Sequence, residues 1–258
     1  MELALVGKSE ALTPEGFANV ADLLSVKAPE IWAVLAVETS GCGFLPDRRP
    51  VILFERHIFH RLTGGQFDDG DISDLHAGGY GPGGAHQFDR LNRALKKDRI
   101  AALKSASWGL GQIMGENFAS SGFPDIETMV EKMCESEDSQ LGAISSFLKA
   151  SRLDGSLKAH DWTSFARGYN GPGFAKNNYD SRLRAEFQKY SSGVLPDLHL
   201  RAAQLYLTFA HFHPGPIDGL MGSRTRAALV DFQKRESLDT TGDADEATLA
   251  RLEEVALT

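Results

Sequence analysis

The sequence predicts a mostly α-helical protein with a large α-dominated domain, which contains a small β element, and a second, smaller helical domain. Apolar residues recur at helical spacing along most of the chain, whereas a continuous, β-like apolar run occurs near residues 50–55. A segment of Ser, Gly and Pro with few apolar residues, 191–197, interrupts the helical pattern. Because 258 residues suffice for a medium domain and a small one, we expect domains at 1–190 and 198–258 joined by a linker at 191–197.

The first two helices are predicted from their start signals and their apolar spacing. In LTPEGFANVADLLS, Thr13 can serve as the N-cap and Pro14 fits the first helical turn. In APEIWAVLAVETSG, Pro29 opens a second helix and Gly41 ends it. One carboxylate, Glu38, therefore stands at the end of an apolar helix.

The middle of the chain alternates helices with glycine-rich turns. RPVILFERHIFHRL begins as a strand and continues as a helix, and TGGQFDDGDISDLHAGGYGPGGAHQF follows as a long loop or flap, of a length that is usually functional or mobile. Helices are predicted in FDRLNRALKKDRIAALKSAS, in DIETMVEKMCESEDSQLGAISSFLKAS and in NNYDSRLRAEFQKY. SASWGLGQIM breaks on glycines, and DWTSFARGYNGPGF is predicted as a short helix that Asp161 caps and a Gly-Pro-Gly turn ends.

The C-terminal region contains two clear helices, SRTRAALVDFQKRE and DEATLARLEE, each preceded by a glycine turn. Ser223 is the predicted cap of the first. The region has no set of residues that could carry catalysis, so we expect a binding role; the alternative is that it only packs on the first domain as a stability cap. Tethering a catalytic domain to a polymer raises the local concentration of substrate even when the tether binds weakly.

Composition excludes several classes of protein. The net charge of −8 argues against a nucleic-acid-binding protein, which usually has a basic surface. No apolar run approaches the roughly 20 residues of a membrane-spanning helix, so we expect no stable membrane insertion. The N-terminus lacks the basic and apolar regions of a signal peptide, which predicts synthesis in the cytoplasm without a cleavable signal. We expect a monomer.

Cysteine and histidine usage predicts neither a disulfide framework nor a metal site. Cys42 and Cys134 are the two cysteines, and free thiols are favoured over a single bridge. The histidines of the middle region do not have the spacing of a zinc hydrolase, and no H-E-x-x-H motif is present. No metal or other cofactor is expected.

Glu38 and two later turns suggest carbohydrate chemistry. Partial burial at the end of an apolar helix raises the pKa of a carboxyl, and such a group can protonate a leaving glycosidic oxygen. Taken alone, Glu38 is better explained as a surface glutamate at the end of a helix. However, SASWGLGQIM contributes Trp108 and Gln112, and FARGYNGPGF contributes Tyr169 and Asn170. Aromatic faces and planar amides bind sugars, so these turns favour a glycan-binding groove.

The order of ETSG, SWGLGQIM and ARGYNGPGF resembles the Glu-Ser, Gly-Leu-Met-Gln and Ala-Tyr-Asn signatures of the goose-type lysozyme and soluble lytic transglycosylase superfamily. Over residues 12–190 the chain looks more like the N-acetylmuramidase domain of phage endolysins against Gram-negative hosts. The chain after residue 197, with IDGLMGSRTRAALVDFQ, resembles the small three-helix peptidoglycan-binding domain. The resemblance implies a lysozyme-like catalytic domain, peptidoglycan as the partner, and release to the periplasmic wall through a holin-type pore.

The resemblance also implies roles for individual residues. Glu38 matches the catalytic acid of the family. Three positions match groove residues: Gln112, Tyr169 and Asn170. Ser40 lies near the serine that follows the family's glutamate, but Thr39 directly follows Glu38 here, so the hydroxyl that orients Glu38 stays open. Tyr169 is a further candidate for this orienting hydrogen bond.

Two residues compete for the role of second carboxylate. A retaining glycosidase needs one about 5–5.5 Å from the acid, and an inverting one needs about 6.5–9.5 Å. Glu55 follows the β-like run, and such segments often line the cleft in lysozyme-like folds. Asp47 stands nine residues after Glu38, as in the lysozymes of the T-even phages, but Leu53 occupies the place of their threonine. We therefore favour Glu55.

The leading hypothesis is an enzyme that hydrolyses the β-1,4 bond between N-acetylmuramic acid and N-acetylglucosamine. A lytic transglycosylase that uses the same Glu38 and forms 1,6-anhydro-muramic products is the first alternative. A non-catalytic cell-wall-binding protein is the second. A metal-dependent amidase or peptidase that uses His57 or His76 is the third.

Overall fold

The computed structural model describes residues 5–38, 41–171 and 173–258, and the side chains of all of these except Glu38 and Lys176. The predicted α-dominated architecture with a small sheet is confirmed. The helices are α1 (Pro14–Leu24), α2 (Ala28–Glu38), α3 (Arg56–Thr63), α4 (Ala85–Leu95), α5 (Arg99–Lys104), α6 (Ile126–Glu135), α7 (Glu137–Ala150), α8 (Asp154–Lys158), α9 (Trp162–Asn170), α10 (Tyr179–Ser192), α11 (Leu198–Phe209), α12 (Ser223–Arg235) and α13 (Glu246–Leu257).

Side-chain caps explain where several helices begin. The Thr13 hydroxyl accepts a hydrogen bond from Gly16 N at 2.9 Å at the start of α1, as predicted. Asp161 accepts one from Ser164 N at 3.1 Å at the start of α9, also as predicted. The predicted cap of α12 is wrong. Ser223 is the first helical residue, and the glycine before it takes the N-cap position without a side-chain hydrogen bond.

The sheet is antiparallel in the order β1-β2-β3 and begins where the apolar run predicted it. Its strands are β1 (Ile52–Phe54), β2 (Ala106–Trp108) and β3 (Ile113–Met114). Phe54 pairs with Ala106, and Trp108 pairs with both Ile52 and Ile113. The sequence predicted only a glycine break for SASWGLGQIM, which instead forms β2, a tight turn and β3.

The glycine-rich segment between α3 and α4 is the predicted long loop, and buried side chains of α4 anchor it. Gln87 donates hydrogen bonds to Tyr80 O at 2.7 Å and Pro82 O at 2.8 Å, and it accepts one from Phe54 N at 2.9 Å. Arg90 donates to Tyr80 O at 3.0 Å. The loop is therefore attached to β1 and α4 at its C-terminal half.

The apolar core has two clusters, and the smaller one joins the two domains. The large cluster lies around α2 and the sheet, whereas the small one lies among α11, α12 and α13. The small cluster also contains Ala11 and Phe44 from the first domain, and the Phe44 and Phe209 rings meet edge-on at 6.4 Å. The C-terminal domain thus packs directly against the first domain. Because α10 continues to Ser192, only residues 193–197 of the predicted linker are outside a helix.

Two further features bear on the sequence predictions. Cys42 and Cys134 are both free, which confirms the expectation of two thiols. Among residues 5–38, 41–171 and 173–258, none of the helices has both the length and the apolar character needed to cross a membrane.

Candidate active site

The end of α2 determines where Glu38 lies. Nearly all of the apolar residues of this helix are buried: Ile31, Trp32, Ala33, Val34, Leu35 and Val37. The helix packs against α10, from which Arg182 donates a hydrogen bond to Val37 O at 3.3 Å. Glu38 is therefore the last residue of a helix that the core holds in place. The Glu38 side chain, Thr39 and Ser40 lie outside the described residues.

Two buried side chains of α7, one turn apart, hold the segments around this helix end. Glu137 accepts a hydrogen bond from Gly43 N at 2.8 Å. The Gln140 amide oxygen accepts one from Leu110 N at 2.7 Å, and its nitrogen donates to Met133 O at 2.8 Å. Consequently α7 fixes the loop after α2 and the turn after β2 relative to each other.

Glycines allow these loops to approach α7. A Cβ on Gly43 would lie 1.7 Å from the Gln140 amide oxygen. A Cβ on Gly109 would lie 2.6 Å from the amide carbon (Cδ) of Gln140, and Gly109 also has a φ of +67°. Both positions therefore require glycine while Gln140 holds the two loops.

Gln112 holds the turn between β2 and β3 together. It has a φ of +49°, and its amide oxygen accepts a hydrogen bond from Ser107 Oγ at 2.8 Å. Its amide nitrogen donates to Gly109 O at 2.8 Å and to Val51 O at 3.2 Å. Gln112 is partly exposed, but both of its amide hydrogens bond within the protein, so the amide oxygen is the atom that could still accept a bond from a ligand.

Tyr169 connects the two distant sequence motifs. Its hydroxyl donates a hydrogen bond to Gly111 O at 2.9 Å. Its ring stacks on Phe165 at 5.8 Å and meets Phe147 edge-on at 5.9 Å. The turn of SWGLGQIM and the helix of FARGYN thus meet in space. Asn170 ends this helix and is half-buried.

The sugar-binding role predicted for Trp108 is wrong, because the side chain is buried. We predicted that its aromatic face binds sugar, but the side chain is 0% exposed, and the indole nitrogen donates to Leu103 O at 3.1 Å inside the core. A fully buried ring has no face to offer a glycan. Its physical role is to pack β2 against α5.

Glu55 lies in a partly buried pocket between β1 and the glycine-rich loop. Its side chain is 15% exposed, and His57 Nδ1 lies 3.1 Å from Glu55 Oε2. Burial raises the pKa of the Glu55 carboxyl above its ordinary value, although His57, the Tyr80 hydroxyl and Arg90 act in the opposite direction. Burial and the nearby Glu55 charge also raise the pKa of Tyr80. A raised pKa beside a specific charged partner is a pattern that clusters at functional sites.

Asp47, the rival carboxylate, has a different environment. Its side chain is 50% exposed and lies 2.6 Å from the Arg49 guanidinium in a surface turn. It also accepts a hydrogen bond from Arg49 N at 3.2 Å. Asp47 therefore resembles a turn-stabilising ion pair.

Three histidines of the middle region each lie beside a single carboxylate. His57 lies beside Glu55, His60 Nδ1 lies 2.7 Å from an Asp68 oxygen, and His76 Nδ1 lies 3.3 Å from an Asp74 oxygen. Within the part of the chain that the structure describes, no three His, Cys, Asp or Glu side chains are grouped to hold a metal ion.

The structure adds functional candidates that the sequence did not reveal: Glu137, Gln140 and Arg201. The first two lie in α7, where they are buried among apolar residues. Three-residue spacing next to buried apolar positions was the only available signal. Arg201 comes from the C-terminal domain. The roles predicted for Glu38, Ser40, Gln112, Tyr169 and Asn170 stay predictions.

Comparisons with known proteins match both regions of the chain. The family model of N-acetylmuramidase matches residues 27–191, and that of a peptidoglycan binding domain matches residues 199–252. Among solved structures, the crystal structure of Burkholderia AP3 phage endolysin is 38% identical with a TM-score of 0.65, over 70% of this chain and 71% of that chain. No curated protein matches the chain.

Proposed function

Because the chain belongs to the N-acetylmuramidase family, we propose that it hydrolyses the β-1,4 bond between N-acetylmuramic acid and N-acetylglucosamine in bacterial peptidoglycan. The observation that carries this proposal is the meeting of the Gly111 turn with Tyr169 beside α7, which also holds the loop after Glu38. Hydrogen bonds thereby connect described segments that are far apart in sequence. The similarity to a phage endolysin supports peptidoglycan as the substrate.

The proposed chemistry assigns one role to each carboxyl. The protonated Glu38 carboxyl donates its proton to the glycosidic oxygen, the bond from the anomeric carbon to that oxygen breaks, and positive charge develops on the sugar ring. Glu55 takes a proton from a water molecule, whose oxygen bonds to the anomeric carbon. The raised pKa of Glu55 makes it a better base than an exposed glutamate.

The C-terminal domain is proposed to bind peptidoglycan, as its family match indicates. We further propose that the protein acts on the periplasmic wall after release through a holin-type pore and so lyses the host cell. The similarity to a phage endolysin supports the proposed lysis.

Mass spectrometry of digested sacculi tests the reaction, with Glu38→Gln as the inactive variant. Reducing-end muramic acid in the wild-type digest, together with its absence from the E38Q digest, supports hydrolysis. Products with 1,6-anhydro-muramic ends would instead identify a lytic transglycosylase, which needs no activated water. If E38Q lyses outer-membrane-permeabilised cells as fast as the wild type, Glu38 is not the acid and a non-catalytic wall-binding protein becomes the better explanation.

A further inference from the structure

A buried ion pair joins the C-terminal domain to the loop that follows α2. Arg201 on α11 is 2% exposed and Glu137 on α7 is 0% exposed. Arg201 donates one hydrogen bond to each Glu137 oxygen, and the bond from Nη2 to Oε1 is 2.9 Å long. The same Nη2 donates to Gly41 O at 2.8 Å. One guanidinium of the C-terminal domain therefore binds two segments of the first domain, α7 and the loop after α2.

The Glu137 carboxylate depends on this cation. Burial alone would raise the pKa of Glu137, but Arg201 and the backbone N–H groups of Gly43 and Leu12 hold it below its ordinary value. These N–H groups donate to Glu137 at 2.8 Å and 3.0 Å. A buried carboxylate that loses its cation is strongly destabilising. The C-terminal domain thus supplies the charge that lets Glu137 remain beside the loop.

The loop is held at two points, each by a different domain. Arg201 holds the carbonyl of Gly41, and Glu137 holds the N–H of Gly43. Gly41 has a φ of +104°, a conformation that glycine adopts readily and other residues rarely do. Gly41 stands three residues after Glu38, so these two contacts fix the backbone close to the C-terminal end of α2.

We propose that Arg201 is a positioning residue for Glu38, so that the C-terminal domain completes the scaffold of the active site as well as binding the wall. This inference rests on the proposed function, because it has a consequence for activity only if Glu38 is the acid. A displacement of about 1 Å at a reacting group can lower catalysis about 100-fold. A C-terminal domain that only tethers the enzyme would leave turnover of dissolved substrate unchanged.

The same interface contains a matched control. The Tyr206 hydroxyl accepts a hydrogen bond from Ala11 N at 3.1 Å, which also crosses between the domains. The structure places no bond from Tyr206 to the described residues of the loop after α2. Tyr206→Phe therefore weakens docking without removing a contact from this loop.

The experiment uses the full-length protein with soluble glycan chains prepared from peptidoglycan as substrate. Arg201→Lys keeps the charge but loses the planar fork that reaches Glu137 and Gly41 together. The double variant E137Q/R201M removes both charges, which avoids a buried unpaired ion. We expect kcat to fall about 10- to 100-fold in R201K and in E137Q/R201M, with KM and co-sedimentation with sacculi near wild-type values. Y206F should keep the wild-type kcat.

The outcomes separate this inference from the proposed function. An unchanged kcat in folded E137Q/R201M overturns the inference. If circular dichroism shows that this variant is unfolded, R201K decides, and an unchanged kcat in R201K then overturns the inference. A drop that affects only KM or sacculus binding also overturns it, because it indicates tethering alone. A wild-type protein without activity would contradict the proposed function itself and this inference with it.

Discussion

Replacing Gln140 with Met removes the side chain that holds the turn after β2 and the end of α6 against α7. The variant leaves the buried Leu110 N–H without its acceptor and the Met133 carbonyl without its donor. Each unsatisfied buried polar group costs about 1–3 kcal/mol, so we expect Gln140→Met to lower the free energy of unfolding by about 2–6 kcal/mol. That loss is a large part of the stability of a typical domain, about 5–15 kcal/mol. The turn after β2 should also lose its fixed position beside the loop after α2.

Gln233 provides a matched control. It is a buried glutamine of α12 that accepts a hydrogen bond from Gly242 N at 2.8 Å and donates to Asp243 O at 3.0 Å. Urea unfolding gives the stability of both variants, and kcat on soluble glycan is measured at a temperature where both are folded. Gln233→Met should lose similar stability and keep its kcat, whereas Gln140→Met should lose both. The reasoning is refuted if Gln140→Met is within about 0.5 kcal/mol of the wild type, or if both variants lose kcat equally.

Two further predictions concern ionisation. Burial raises the pKa of Glu55 above the ordinary 4.5, and a base must be ionised, so kcat/KM should fall as pH drops through a midpoint above 4.5. Glu55→Gln should lower kcat/KM about 10²- to 10⁴-fold, whereas Asp47→Asn should stay near the wild type; the reverse order would identify Asp47 as the base. Burial raises the pKa of Cys42 to about 11 and of Cys134 to about 12, so both thiols are protonated at pH 8. A chromogenic disulfide reagent should therefore react slowly with the native protein and rapidly in denaturant, and a fast native reaction would contradict this burial.

Local signals in the sequence were sufficient for most helices. Thr13 and Asp161 cap the helices that follow them because a side-chain oxygen and an exposed N–H are only three residues apart. The strand at residues 52–54 was evident from a short apolar run. The hairpin that completes the sheet was not evident from the sequence. Its strands are only three and two residues long, and the turn between them places Gln112, a non-glycine residue, at a φ of +49°.

The candidate site shows the limit of sequence patterns more clearly. The order of the motifs predicted that the turn containing Gly111 and the helix containing Tyr169 belong to the same site. These two residues are in contact. Trp108 belonged to the same motif, yet sequence alone does not reveal which face of a short buried strand a ring occupies. Glu137 and Arg201 are 64 residues apart, and their partnership depends on how the two domains dock. No local signal encodes that docking.

The docked arrangement changes what a wall-binding domain can contribute. A module on a flexible linker raises substrate concentration but leaves the orientation of the catalytic groove free. Here only residues 193–197 separate α10 from α11, and Phe44 and Arg201 link the domains through an apolar contact and a buried ion pair. Breaking that ion pair would leave a charge buried without its partner, so separation of the domains is costly. If the C-terminal domain binds a glycan strand, it therefore also sets the angle at which the end of α2 meets the wall. A variant with a loosened interface should consequently lose more activity on intact sacculi than its loss of sacculus binding predicts, since orientation as well as capture would be lost.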